Sequence, residues 1–247
     1  MASPLKPLVS STETTNQIFI IGDSENQRLV KKYRGDQPTQ RYATELSRLT
    51  YWRNSGYPVP RVISETIEAE QPPYLVLEYI DGQDLGSYLR DQSIQLSIKL
   101  ETLAAIFQAN ASRHQRVLDD QDSELLHHDI NTGNILINDN GFYFIDFEAR
   151  MKANDQKDSL TDLIGIEVAK LIRWSARDLG RAHLADVVGL MLAAYKSPAI
   201  ANGIIHRVYG RALQPLHRWK DRRKKKNHPE EVSKYDIADT LFKLIAQ

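Results

Sequence analysis

The stretch Leu125–Arg150, LLHHDINTGNILINDNGFYFIDFEAR, decides the reading of the chain. Two short apolar runs, Ile135–Ile137 and Phe142–Ile145, flank Asn138-Asp139-Asn140-Gly141, residue types that accept the positive φ angles of a tight turn. The stretch therefore predicts a β-hairpin. Asp129 and Asn134 stand just before it and Asp146 just after, so pairing the strands gathers three oxygen-bearing side chains at one end. That end is the predicted metal and phosphate site.

The residue types suit such a site. Mg²⁺ is a hard cation that takes oxygen ligands, commonly one or two side chains together with the phosphates of a substrate. Asn134 and Asp146 supply that pair, and Asp129 is placed to accept or orient the proton of an attacking hydroxyl. Asp and Asn are also the commonest turn residues, so no single one of them carries the argument. The adjacent His127 and His128 do not suggest zinc, because neighbours on an extended segment point apart and the chain has no cysteine. His127 is expected to pack beneath the loop.

His127-His128-Asp129 followed by Asn134 resembles the H-R-D-x-x-x-x-N catalytic loop, and Asp146-Phe147-Glu148 resembles D-F-G, of the protein-kinase-like superfamily. The resemblance implies an α+β, bilobal fold. Residues 1–80 would form a nucleotide-binding lobe, a small antiparallel sheet with one helix; residues 81–247 would form a mainly helical catalytic and substrate lobe. It also implies ATP and Mg²⁺ as cofactors.

Working outward, Gln17–Ile21 and Gln27–Arg34 read as strands around a turn, with a first strand near Leu8–Ser11. Lys31 and Lys32 fall on opposite faces of the second strand, because side chains alternate with period two. By resemblance Lys31 reaches the α- and β-phosphates, with Lys32 as the fallback. Pro38–Ser55 reads as a helix, with Pro38 in its first turn and Gly56 at its end. Its apolar side is Tyr42, Leu46, Leu49 and Trp52 or the stem of Arg53, and Glu45 lies beside that side. In the superfamily a glutamate of this helix pairs with the strand lysine, and Glu45 is the match. Tyr74–Tyr79 is an apolar strand broken by Ile80-Asp81-Gly82, a hinge signal; by resemblance the backbone groups of Glu78 and Ile80 hold the adenine edge.

Helical spacing follows through Leu96–Ala111, Leu160–Ile172, Leu184–Tyr195, Ile200–Arg218 and Val232–Ile245. Asp162 or Asp158 is the match for the aspartate that braces the catalytic loop. The basic run Lys220–Lys226 is either a solvated helix end or the seat of an anionic partner.

Three departures refine the resemblance. Ser10–Asn16, where kinases carry a glycine-rich phosphate loop, has no glycine; Asn131 occupies the position of a kinase lysine; Glu148 replaces the glycine of D-F-G, and no A-P-E follows. The last of these, with a helix near Ser159 that follows Asp146 too soon for a long activation segment, points toward the small-molecule and sugar branch, which includes aminoglycoside phosphotransferases, choline-type kinases and the Kdo and lipopolysaccharide-core kinases, whereas the glycine-free loop speaks for a scaffold. The expected activity is transfer of the γ-phosphoryl group of ATP to a hydroxyl of a small molecule or sugar. An atypical protein Ser/Thr kinase and a non-catalytic scaffold are the other two readings.

Composition sets the frame. The 247 residues suffice for two lobes, and 32 Lys plus Arg against 32 Asp plus Glu give no global charge that would select nucleic acid or membrane. With no cysteine, no apolar leader and no run long enough to span a bilayer, a cytoplasmic chain is expected, with the inner membrane surface as a peripheral location.

Overall fold

The computed structural model describes residues 6–7, 16–24, 26–65, 72–150, 158–210 and 214–246. The chain divides into two compact units, Met1–Gly82 with Leu136–Arg150, and Gln83–Ile135 with Met151–Gln247. The fold is α+β, an antiparallel N-terminal sheet followed by a mainly helical remainder.

In the first unit the strands are β1 (Lys6–Pro7), β2 (Asn16–Ile21), β3 (Arg28–Tyr33), β4 (Val62–Glu65) and β5 (Tyr74–Glu78). They form one sheet in the order β1-β2-β3-β5-β4, every pairing antiparallel. The strand expected near Leu8–Ser11, and the glycine-free stretch apart from Asn16, lie outside the described residues. β3 is central: Lys31 stands opposite Ile18 on one side and Leu75 on the other. Alternation then buries Lys31 with Tyr33 on one face and leaves Lys32 half-buried on the other, its ammonium 5.6 Å from the Phe19 ring.

Helix α1 (Pro38–Asn54) starts with proline, whose fixed φ suits a first turn, and its N-cap is Gln37 in the left-handed region without a side-chain cap. Gly56, at φ +86°, ends it, a conformation that costs glycine little. The buried stripe is Glu45, Arg48, Leu49 and Trp52; Arg53 is exposed, so the tryptophan and not the arginine stem completes that face. Trp52 is the anchor. Its ring lies 4.7 Å from Phe147 and 5.5 Å from Phe144, both edge-on, and Arg48 lies over Phe147. These contacts, with the Phe144 N–H donating to the Pro58 carbonyl at 2.9 Å, fix the hairpin and the segment after it onto α1.

That hairpin is β7 (Ile135–Asn138) and β8 (Gly141–Phe144). Asn138 Oδ1 accepts the Asn140 N–H at 2.9 Å and Gly141 sits at φ +124°, so the turn residues act as their types suggest. Gly82 also has a steric reason: a Cβ there would lie 2.5 Å from the Ile137 carbonyl oxygen.

The second unit carries a two-residue strand, β6 (Gln83–Asp84), and seven helices among the described residues. They are α2 (Leu85–Arg90), α3 (Leu96–Asp120), α4 (Leu160–Leu179), α5 (Leu184–Ala194), α6 (Pro198–Tyr209), α7 (Gln214–Asn227) and α8 (Lys234–Ile245). Leu103, Ile106 and Phe107 of α3, Ile164, Val168 and Leu171 of α4, and Val187 and Met191 of α5 form the core. The expected single helix Ile200–Arg218 is two helices, α6 and α7. Gly210 closes the first, and Pro215 takes the first turn of the second, where it lacks no needed N–H. No helix among the described residues is long and apolar enough to cross a membrane.

Candidate functional site

The first unit places a charged cluster on the buried face of β3. Lys31 is 5% exposed and Glu45 2%, yet both are charged residue types, so each needs a partner. The Lys31 ammonium reaches Glu45 Oε2 at 2.7 Å, Asp146 Oδ1 at 2.7 Å and Glu148 Oε2 at 3.4 Å. Burial alone would pull its pKa down; the three carboxylates outweigh that and raise it, so Lys31 stays protonated.

Glu45 is held from several sides. Tyr33, on the same face of β3, donates its hydroxyl to Glu45 Oε2 at 2.6 Å, and the Phe147 N–H approaches Oε1 at 3.4 Å. Burial pushes the Tyr33 phenol upward, and the neighbouring Glu45 charge adds to it. Asp146 has φ +66°, a left-handed conformation uncommon outside glycine but tolerated by Asp and Asn. Its side chain is 36% exposed, the open end of the cluster. Glu148 pairs with Arg41 at 2.7 Å and accepts from Asn16 at 2.7 Å, while Arg41 also donates to Asn16 Oδ1 at 2.8 Å.

Oxygens of Glu45, Asp146 and Glu148 lie within 4.8 Å of one another. Two cations, Lys31 and Arg41, face three carboxylates. The surplus negative charge and the hard donors suit a hard cation at the exposed, Asp146 side.

The second unit holds the loop around Asp129. Asp129 is exposed, and its carbonyl accepts Asn134 Nδ2 at 2.9 Å and Asn131 Nδ2 at 3.0 Å. Because the Asn134 amide nitrogen faces that carbonyl, its Oδ1 is the atom presented for a cation. Asn131 Oδ1 in turn accepts the Gly133 N–H at 2.8 Å, so the residue in place of a kinase lysine braces the turn.

Helix α4 supports the loop from below. Glu167 Oε2 accepts the His127 N–H at 2.9 Å, Lys170 donates to the His128 carbonyl at 2.6 Å, and Asp178 takes the Thr132 hydroxyl. Asp162 instead closes a capping box with Ser159 at the start of α4, and Asp158 pairs with Arg207 at 2.8 Å. The bracing acids are Glu167 and Asp178, not those two. His127 is buried, whereas His128 is half-buried and contributes its carbonyl.

Among the residues singled out in the sequence, Lys31, Glu45 and Asp146 come together within the first unit, which also carries Glu78 and Ile80; Asp129 and Asn134 lie in the second. Glu78 ends β5, its N–H donating to the Arg61 carbonyl at 2.8 Å. Tyr33, Arg41, Glu167, Lys170 and Asp178 were not foreseen. The signals were present: Tyr33 is two residues from Lys31 on one strand face, Arg41 four before Glu45 on one helix face, and Glu167 and Asp178 lie within the apolar stripe of α4.

Strand lysine, helix glutamate and the Asp146 segment thus meet in one cluster of the first unit. Residues 8–116 match the family model described as the phosphotransferase enzyme family, APH, a family of the protein-kinase-like superfamily. A search of curated proteins found no match to the chain.

Proposed function

We propose that the chain is an ATP-dependent phosphotransferase that moves the γ-phosphoryl group to a hydroxyl of a small molecule or sugar. The observation that carries this reading is the buried Lys31 ammonium, fixed by Glu45 of α1 and facing the partly open carboxylate of Asp146. A purely structural lysine would not need a surplus of carboxylates around it.

The roles follow from the chemistry. Lys31 keeps Glu45 and exchanges Asp146 for α- and β-phosphate oxygens when nucleotide enters, which releases the Asp146 carboxylate for metal. Asn134 and Asp146 would hold Mg²⁺, which when bound neutralises charge on the β- and γ-phosphate oxygens. Because the Glu78 N–H already donates to Arg61, any adenine contact from Glu78 is through its carbonyl, with Ile80 supplying the N–H. Asp129 orients the acceptor hydroxyl and takes its proton. Catalysis on this scheme is positional and electrostatic. A small acceptor is favoured over a protein because α4 begins at Leu160, soon after Asp146, which leaves little chain for a long activation segment.

The net negative cluster also sets the first test. Phosphates should not bind beside three carboxylates without added cations, so stabilisation by ATP should require Mg²⁺. In a thermal-shift titration, ligand at a hundred times its dissociation constant adds about 2.7 kcal/mol. The expected result is a raised midpoint with ATP and Mg²⁺ together, lost in Asp146→Asn, a substitution that tolerates the same left-handed backbone. Asp129→Asn should keep that stabilisation and lower transfer by about a hundred- to ten-thousand-fold. No response of the wild type to millimolar ATP with Mg²⁺ would remove the nucleotide reading and leave the scaffold one.

A further inference from the structure

A cavity of about 350 Å³ opens among α4, α6, α7 and α8, wholly within the second unit. Its floor is apolar, with Ile166 and Ala169 of α4, Ile204 and Val208 of α6, and Ile237 of α8. Its walls carry five cations, Lys170, Arg173, Arg207, Lys224 and Lys234, against two carboxylates, Asp221 and Glu231. The chain as a whole is neutral, so this balance is local.

We propose that this cavity binds an amphiphilic anion, an apolar chain or ring that carries a phosphate or carboxylate. The apolar floor accommodates the body of such a molecule, and the excess of cations its head. Several of the cations are already oriented: Arg173 Nε donates to the Val232 carbonyl at 2.9 Å, Arg207 pairs with Asp158 at 2.8 Å, and Lys224 with Glu231 at 2.6 Å. Little ordering of those long side chains is then left for binding to cost. Lys224 belongs to the basic run Lys220–Lys226, so of its two readings, solvated helix end or seat of an anionic partner, the second gains a place and a chemical class. Lys170 lines the cavity and also donates to the His128 carbonyl, one residue before Asp129, so a ligand here touches the support of the Asp129 loop. The site does not depend on the phosphotransferase reading.

The test is calorimetric titration of the full chain with octyl phosphate, beside octyl glucoside as a neutral amphiphile and inorganic phosphate as a head without a body. Octyl phosphate should bind at least about tenfold more tightly than either control. Lys224→Gln with Lys234→Gln should weaken octyl phosphate by about tenfold or more and leave octyl glucoside unchanged. Ala169→Trp, which fills the floor, should abolish binding; if that variant fails to fold, the lysine pair, at half-buried and exposed positions, still decides. Equal affinity for octyl phosphate and octyl glucoside, or no octyl phosphate binding at millimolar concentration, overturns the proposal. Capture by phosphatidylglycerol vesicles that octyl phosphate competes away assigns a lipid headgroup, and octyl phosphate binding without vesicle capture assigns a soluble ligand. Vesicle capture that octyl phosphate does not compete overturns the cavity as the site.

Discussion

In the second unit the Arg113 guanidinium is fully enclosed and donates to the Leu125 carbonyl, Asn110 Oδ1 and Glu167 Oε1, while Glu167 also takes the His127 N–H and lies 3.2 Å from His114 Nε2. In the first unit the Lys31 ammonium has three carboxylates around it, and one of them, Asp146, reaches solvent. Both are buried ion networks tied to a helix. The Arg113 network is closed, one cation matched to one acid and neutral donors and acceptors; the Lys31 cluster is open, with Lys31 and Arg41 against three acids. A network whose cation and acid are matched can only hold structure, because any new charge would unbalance it. An open one has something left to bind. The Arg113 network therefore serves as the frame of the Asp129 loop, and the Lys31 cluster is the part that the proposed function sets against ligand.

Glu167→Gln leaves Arg113 buried without its counter-charge and should cost about 3–5 kcal/mol, read as a lowered urea midpoint. Glu45→Gln should cost less, about 1–2 kcal/mol, because Asp146 and Glu148 still face Lys31; its larger effect should be on the ATP-induced shift, which a closed network would not influence. Equal stability losses for the two variants would mean that the Lys31 cluster is as closed as the other.

Acid sharpens the same contrast. Burial holds His114 below its ordinary value of 6.5, with Arg113 adding to the effect and Glu167 opposing it. Burial would raise Glu167, but Arg113 and then His114 pull its carboxyl well below the usual range. In each case the unfolded chain takes up the proton first. Stability should thus fall as pH drops below about 6.5 and more steeply below about 4.3, where an unfolded glutamate protonates. Urea midpoints between neutral and acid pH would show this, and His114→Asn should remove the shallower part. A midpoint that is flat down to the carboxylate range would exclude a neutral buried His114. The smallest effect is expected at the surface pair Arg116–Asp120 on α3, both members about half exposed, where Arg116→Ala should change stability by no more than about 0.5 kcal/mol.

How much was legible follows from the range of each interaction. The hairpin, α1 and the separation of Lys31 from Lys32 are set by patterns of two to four residues, and the structure reports the hairpin over Ile135–Phe144 and Lys31, not Lys32, beside Glu45. Where local pattern was the only guide, it failed in identifiable ways. Asp162 looked like a brace because of its place in the chain, yet Ser159 three residues earlier claims it as a cap, the nearer partner winning. The helix expected over Ile200–Arg218 ran through Gly210 and Pro215 on apolar spacing alone, and those two residues divide it.

The residue types on which the proposed chemistry rests, and their order, were legible in the sequence alone: Asp129, Asn134 and Asp146 flank one hairpin, and Lys31 on a strand and Glu45 on a helix match the kinase-like pattern by resemblance. What surrounds each of them was decided by the tertiary structure. Glu148 and Arg41 enter the Lys31 cluster from 117 and 10 residues away in numbering, and Glu167 reaches the His127 amide across 40. Such pairings depend on the path of the backbone between them, and only the folded chain, with α1 packed on Phe147 through Trp52 and α4 under the loop, brings the partners within hydrogen-bonding distance.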